Sequence, residues 1–438
     1  MVQPLTPDTL VYDLAAATDP QVSRDGTRVL YTRGQAKRDK KRAESQLWIA
    51  NLDGGKHYPL TTAGTKNHGG RWSRCGGAIA FVSDRDDRNG IYLLHMEGGD
   101  PLPLTTHLHP IADLAWSPDG KQLVYSTLFD PENPNEADPG EEDAPRIRVT
   151  NRIDYKQDGL GYLADLRYQV WILNVHARER RMLTRDAVDH HQPQWSPDGT
   201  TIAAKIPNRN GMHAQLALID IKTGATTLVG PRDGVVSCWA WSPSGDRILL
   251  AGDDHNTWQT DFFVYDVASG ELTRLTDDLP ILPDGGFPPI TPPSQPIWLD
   301  DQYAVVHAFR AGSSGLYTVD GATGAYERLH DWQGLNTHLS ADDKTRFFAQ
   351  AHGNLETTGQ VVVYDLETGE ARTVVSPNDA VLAEHPPAAW ERFDVERGGF
   401  TIEAWLLKPP GFDPEKTYPV VLDVHGGPNS YYGYALNP

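Results

Sequence analysis

Apolar and polar residues alternate in short runs along most of the chain, as in Leu123-Val124-Tyr125, which is the period of half-buried β strands. A turn signal precedes these runs. It reads apolar or Trp, then Ser-Pro-Asp-Gly, and is complete at Trp116-Ser117-Pro118-Asp119-Gly120 and Trp195-Ser196-Pro197-Asp198-Gly199. Near copies are Val22-Ser23-Arg24-Asp25-Gly26, Trp72-Ser73-Arg74-Cys75-Gly76 and Trp241-Ser242-Pro243-Ser244-Gly245; degenerate ones are Trp298-Leu299-Asp300-Asp301 and Leu339-Ser340-Ala341-Asp342. Pro presets φ, Asp bonds back to the backbone, and Gly takes the position needing positive φ.

A second pattern follows each copy: a strand, a turn closing on Gly, and another short strand. Its copies start at Leu47, Ile91, Val170, Leu216, Phe262, Leu316 and Val361, spaced 44, 79, 46, 46, 54 and 45 residues apart. Two hairpins per repeat of about 45 residues make a four-stranded propeller blade. The fold class is therefore all-β, a seven-bladed β-propeller over 19–376. Each Trp before the turn is expected on the sheet face between blades, where its neighbour buries it. The first copy opens with its own hairpin and the last closes with its own. The ring should therefore close by side-chain packing, with no strand exchanged across the seam, and could open more easily for that reason.

Composition agrees with this reading. The 438 residues include 40 Gly, 33 Pro and 12 Trp, with 39% apolar residues, which suits a turn-rich all-β repeat. The net charge of −20 argues against nucleic-acid or anionic-membrane partners, both polyanions. No apolar run is long enough to span a bilayer, and the first 20 residues lack the features of a signal peptide, so a cytoplasmic location is expected. Cys75 and Cys238 sit in similar surroundings and are read as buried free thiols. No spacing suggests zinc, and no metal or other cofactor is expected.

The 79-residue interval holds an insert. Its first part, Asp130 to Asp143, carries seven acids and no base, and Arg146 to Tyr155 and Asp158-Gly159-Leu160-Gly161-Tyr162 follow. It reads as a solvated acidic loop plus a long blade-edge hairpin, against the alternative of a projection reaching a partner domain or substrate. Lys37 to Arg42 reads as a solvated hairpin tip. Within the segment 1–18, Thr6 should cap a short helix begun by Pro7, with Leu10, Val11 and Leu14 on one face. A Pro-rich linker covers 377–389. Strand-like runs then follow at Glu391 to Val395 and Thr401 to Leu407. The third, Pro419 to Val424, is apolar on both faces, as in a buried central strand of an α/β sheet.

That run ends in His425-Gly426-Gly427-Pro428, a strand followed by the His-Gly-Gly type of turn that serves α/β hydrolases as an oxyanion-hole element. Together with Ile402 to Phe412, Tyr418-Pro419-Val420-Val421 and Asp158 to Tyr162, it resembles the prolyl oligopeptidase family of serine peptidases, most closely the acylaminoacyl-peptidase branch. The resemblance implies a TolB-like propeller restricting access to short peptides, followed over 390–438 by the first strands of an incomplete α/β-hydrolase domain. It implies that Gly427, with Gly426, gives backbone N–H groups to the oxyanion, that His425 orients the turn and that Pro428 fixes its exit. No Gly-x-Ser-x-Gly occurs, and Gly312-Ser313-Ser314-Gly315 has the wrong spacing and lies inside a blade. The catalytic Ser, Asp and His are expected downstream of Pro438, and the chain alone is expected to be inactive. Its implied partners are short peptide substrates and the remainder of the hydrolase domain; oligomerisation is left open. Glu141-Glu142 invites comparison with the paired glutamates of dipeptidyl members, but its Pro-rich surroundings suit a fixed clamp poorly. His107 and His190-His191 are read as packing or solvated residues. The alternative is a non-catalytic TolB-like propeller serving as a binding or scaffolding module.

Overall fold

Each Ser-Pro-Asp-Gly-type segment joins the first strand of an antiparallel sheet to its second. The computed structural model describes residues 3–40, 42–138, 149–150, 153, 155–157, 161–208, 213–255, 257, 259–283, 294–330, 332–426 and 431–436. In the turn at Ser117, Gly120 N–H donates to the Ser117 carbonyl at 2.9 Å with Gly120 at φ +70°. The serine does more than the pattern requires. Its hydroxyl donates to Asp119 at 2.6 Å and accepts from Gln122 N–H at 2.9 Å, closing both ends of the turn. The degenerate copy keeps the function with another residue: Asp342 Oδ1 accepts from Arg346 and Phe347 N–H at 2.9 and 2.7 Å.

The first sheet comprises Ala16–Val22, Arg28–Lys37, Arg42–Asn51 and His57–Pro59, in that order. Four-stranded sheets also cover 67–107, 111–182, 297–330 and 335–375. An eight-stranded path over 191–274 consists of two four-stranded halves meeting at one parallel bridge, Ala214 to Val235. The seven second-pattern starts all fall in third strands, such as Leu216 in His213–Asp220 and Val361 in Gln360–Asp365.

Apolar clusters fill the gaps between consecutive sheets and run round in order. Leu30 and Ile49 meet Ile79 and Phe81; Ala80 and Ile91 meet Leu123 and Tyr125; Val124 and Ile172 meet Ile202 and Ala217. Ala203 and Leu216 meet Trp239 and Ile248; Leu249 and Phe262 meet Trp298 and Val306; Val305 and Leu316 meet Phe348 and Tyr364. Val29 and Tyr31 against Val361 and Val363 complete the circle. Burying one such large side chain contributes about 1.5–3 kcal/mol, so the ring is held mainly by these contacts. The tryptophans lie between sheets as expected. The indoles of Trp72, Trp116 and Trp298 each donate to a carbonyl of the preceding sheet (Gln21, Arg71 and Ala240), all at 3.1 Å.

Among the described residues, no strand crosses the seam between first and last sheets. Besides the apolar cluster, polar stitches fasten it. Asn378, 1% exposed, accepts from Ala15 N–H and donates to the Ala15 carbonyl, both at 2.8 Å, and donates to the Thr358 carbonyl at 2.8 Å. Ala17 N–H reaches the Gly359 carbonyl at 3.2 Å, Val22 N–H reaches Ser340 at 3.1 Å, and Arg24 pairs with Asp343 at 2.8 Å.

Several expectations are corrected. Cys75 is exposed and Cys238 buried, and neither forms a disulfide. The two flank their tryptophans differently: Cys238 lies within the first strand Val235–Trp241, whereas Cys75 occupies the Asp position of a turn and faces the Ser73 hydroxyl at 3.5 Å. Thr6 does cap the amino-terminal segment, accepting from Thr9 N–H at 3.1 Å, but Thr9–Asp13 is a π turn. Its wider spacing separates the expected face: Leu14 is buried, Leu10 half-buried and Val11 exposed. The linker contains a helix, Asp379–Glu384. The run Pro419 to Val424 forms no strand among the described residues, because no neighbouring strand offers it an edge. Its side chains lie open to solvent, Val421 at 91%.

Candidate functional site

The carboxyl-terminal segment begins with a hairpin, Trp390–Arg397 paired with Phe400–Leu407. Gly398 and Gly399, at φ +61° and +85°, supply the two-residue turn that a right-twisted hairpin favours. Across the strands Arg392 reaches Glu403 at 2.7 Å. The segment is held to the propeller by aromatic contacts. Tyr434 meets Trp390 and Trp405 edge-on with centroids 5.6 and 5.4 Å apart, and Tyr431 stacks on Phe309 at 3.8 Å. Tyr434 N–H donates to the Gly312 carbonyl at 2.9 Å, and Leu436 N–H to the Asn354 carbonyl at 2.7 Å. Between hairpin and propeller lies a cavity of about 380 Å³ whose lining includes Arg310, Ser313, Arg328, Arg392 and Glu403.

Beyond the hairpin, Phe412 stacks on Tyr418 at 5.1 Å and the chain extends to His425. His425 is exposed. Its Nδ1 lies 3.0 Å from the Gly426 carbonyl, so an Nδ1–H tautomer donates across the turn, and Tyr432 meets its ring edge-on at 6.1 Å. A hydrogen bond to Asp423 raises the Tyr432 phenol above its usual range. Nothing lies within 4 Å of where a Gly426 side chain would begin, so its backbone is open to an approaching group. Gly427 and Pro428 lie outside the described residues, as do Glu141 and Glu142.

The propeller histidines are structural. His190 is buried, His191 leans on Tyr168 at 4.9 Å, and His107 is enclosed between Tyr125 and Glu136. Ser314, of the Gly-Ser-Ser-Gly segment, is buried and bonded to Asn336. Among the described residues, no helix is long and apolar enough to cross a membrane.

A feature outside the turn motif lines the axis. The first strands of successive sheets stand beside one another, and register slips occur at Thr18/Gln21, His68/Arg71, His191/Gln194 and Thr337/Ser340, with another opposite Val124/Ser126. At these bulges Asp19, Gly69, Asp113, Gln192 and His338 adopt φ between +50° and +62°. Four are not glycine, and such a conformation costs about 1–3 kcal/mol unless the surroundings impose it. Here contacts between sheets impose it. Asp19 pairs with Arg71 at 2.7 Å, and Asp113 accepts from Gln192 N–H at 2.9 Å. Gln295 reaches Gln192 at 3.5 Å and accepts from Trp239 N–H at 2.7 Å. Burial lowers the His338 imidazole below its ordinary range, with Asp19 opposing. The axis thus presents carboxylate, guanidinium, imidazole and carboxamide groups, which suits polar, hydrogen-bonding ligands over apolar ones.

The family model for the TolB beta propeller domain matches residues 150–390. The chain is 28% identical to the uncharacterized peptidase YuxL of Bacillus subtilis over 437 residues, covering 96% of this chain and 66% of that protein. It is 22% identical to dipeptidyl-peptidase 5 of Porphyromonas gingivalis, covering 97% of this chain and 64% of the other. The solved acylaminoacyl peptidase of Pyrococcus horikoshii has the same fold, with a TM-score of 0.75 at 18% identity over 98% of this chain and 63% of that one. The chain therefore spans slightly less than two thirds of each of these three proteins.

Proposed function

The chain belongs to the TolB beta propeller domain family, and we propose that it forms the amino-terminal, substrate-admitting part of a serine peptidase. Its peptidase relatives and the acylaminoacyl peptidase fold support the prolyl oligopeptidase type. In this reading residues 19–376 are seven blades, 1–18 and 377–389 flank the ring, and 390–438 begin a hydrolase domain. The seven inter-sheet cores support the blade count. The observation that carries the reading is the segment after the ring: a hairpin fixed to the propeller, then an unpaired apolar run leading to His425-Gly426.

The chemistry follows from that placement. A buried strand delivering a glycine turn brings backbone N–H groups to the point where a tetrahedral intermediate gathers negative charge. Gly427 and Gly426 supply those groups, and His425 holds the turn through its Nδ1 contact with the Gly426 carbonyl. The nucleophilic Ser and its His and Asp come from residues following Pro438 and form the acyl-enzyme. The polar axis and the cavity beside the hairpin favour short peptides, whose backbones and termini offer the complementary groups. The setting is the cytoplasm, with no cofactor.

The test is turnover of an acyl-amino-acid chromogenic ester. The 438-residue chain should be inactive, whereas a gene product continuing in frame should be active and blocked by a serine-directed phosphonate. Phosphonate-sensitive turnover by the 438-residue chain would overturn the assignment. A gene that stops at codon 438 would favour a non-catalytic binding propeller.

A further inference from the structure

Glu136 belongs to the acidic insert, where solvation is the ordinary fate of a carboxylate. It is nonetheless the only buried glutamate among the described residues, 9% exposed. Its Oε1 lies 2.6 Å from His107 Nδ1 and its Oε2 3.3 Å from Arg180 Nη2, while Arg88 reaches its carbonyl at 3.3 Å. His107 Nε2 in turn receives the Tyr125 hydroxyl at 2.9 Å and lies 3.1 Å from Arg180 Nη1. Two donors at Nε2 require that nitrogen to be the acceptor, so the imidazole is neutral and donates Nδ1–H to Glu136. Trp171 covers the pair, 5.1 Å from the His107 ring and 5.2 Å from the Arg180 guanidinium.

These groups come from two sheets. Arg88 and His107 belong to the sheet over 67–107, whereas Tyr125, Trp171 and Arg180 belong to that over 111–182. The backbone of Glu136 sits at φ +52°, a conformation maintained by its partners and by the Asn133 side chain, which bonds both N–H and carbonyl of Ala137. We propose that Glu136 is a bolt fastening the root of the acidic insert across the boundary between the second and third sheets, and that acid withdraws it while the ring stays folded.

The sign follows from the groups facing Glu136. On the sheets these are His107, His109, Tyr125, Arg180 and Arg88; on the insert itself, Asp130 and Asp138. Burial alone would raise the Glu136 carboxyl, but His107 and Arg180 together bring it below its usual range. Burial lowers His107, with Glu136 opposing. Both groups are lowered on folding, so both contributions are present at neutral pH and are lost as pH falls. The imidazolium form places a second N–H against Arg180, and protonation of Glu136 removes the charge holding both bases.

Hydrogen exchange followed by mass spectrometry tests this. At pH 7.5 the segment 130–138 of Glu136→Gln should exchange about tenfold faster than in the parent, with the strand Gln122–Phe129 unchanged. The parent segment should lose its protection between about pH 6 and 3, after correction for intrinsic rates, while that strand keeps its own, because both groups protonate in the folded state only below their ordinary values. Equal protection in both proteins at pH 7.5, or parent protection that persists to pH 3, would overturn the proposal. The parent titration decides the matter even if the variant fails to fold.

Discussion

Asn378 joins the two ends of the ring through one carboxamide, and its replacement isolates what that is worth. In Asn378→Ala the buried N–H and carbonyl of Ala15 lose their partner together, so urea unfolding should show a loss of about 2–3 kcal/mol. His307 and His352 offer a second measurement at this scale. Burial holds both near a pKa of about 4, with Gln350 opposing at His307, and both join a buried network through Gln350 and Asn336. A histidine lowered on folding stabilises the fold above its unfolded value of about 6.5, and that stability is lost as pH falls toward 4. The urea midpoint should therefore drop from pH 7 to pH 4.5, and His352→Gln should flatten the drop. Residue roles of this kind were the least legible in the sequence. Nothing around Asn378 distinguishes it from a solvated loop asparagine, and nothing around Glu136 sets it apart from the other acids of its run, because each acts on a partner far away along the chain.

At the scale of elements, the turns and third strands could be read directly because their chemistry is local. Ser117, Asp119 and Gly120 make the turn among themselves, and the alternation after it fixes which face is buried. Gly120→Ala should cost about 1 kcal/mol in urea unfolding, since φ +70° disfavours a side chain and its Cβ would meet Arg74 at 3.1 Å. The axial bulges escaped the same reading: Asp19, Asp113 and Gln192 each stand three positions before the Val or Trp that opens a turn, but their residue types vary and contacts with neighbouring sheets hold them in place. The run Pro419 to Val424, expected as a strand, pairs with no other among the described residues for the complementary reason. Its composition specifies burial on both faces, but a strand is a relation between neighbours, and none stands beside it. A dye that binds exposed apolar surface should therefore report this segment, and replacing Val420 and Val421 with Asp should remove most of that signal while the far-ultraviolet circular dichroism is retained.

The molecule as a whole is a circle of like contacts in which one junction joins residues remote in sequence. Six cores join neighbours along the chain; the seventh joins Val29 and Tyr31 to Val361 and Val363. The polar stitch at the same junction spans 363 positions, from Ala15 to Asn378. That separation sets a schedule for synthesis. At about 5–20 residues per second, roughly 20–70 s pass between the emergence of the first sheet and that of the residue which fastens it. Throughout that interval the nascent chain presents an apolar sheet face whose intended cover has not yet been made. Chains arrested on the ribosome before Asn378 should accordingly bind holding chaperones through their first sheet, and release should coincide with the emergence of the last.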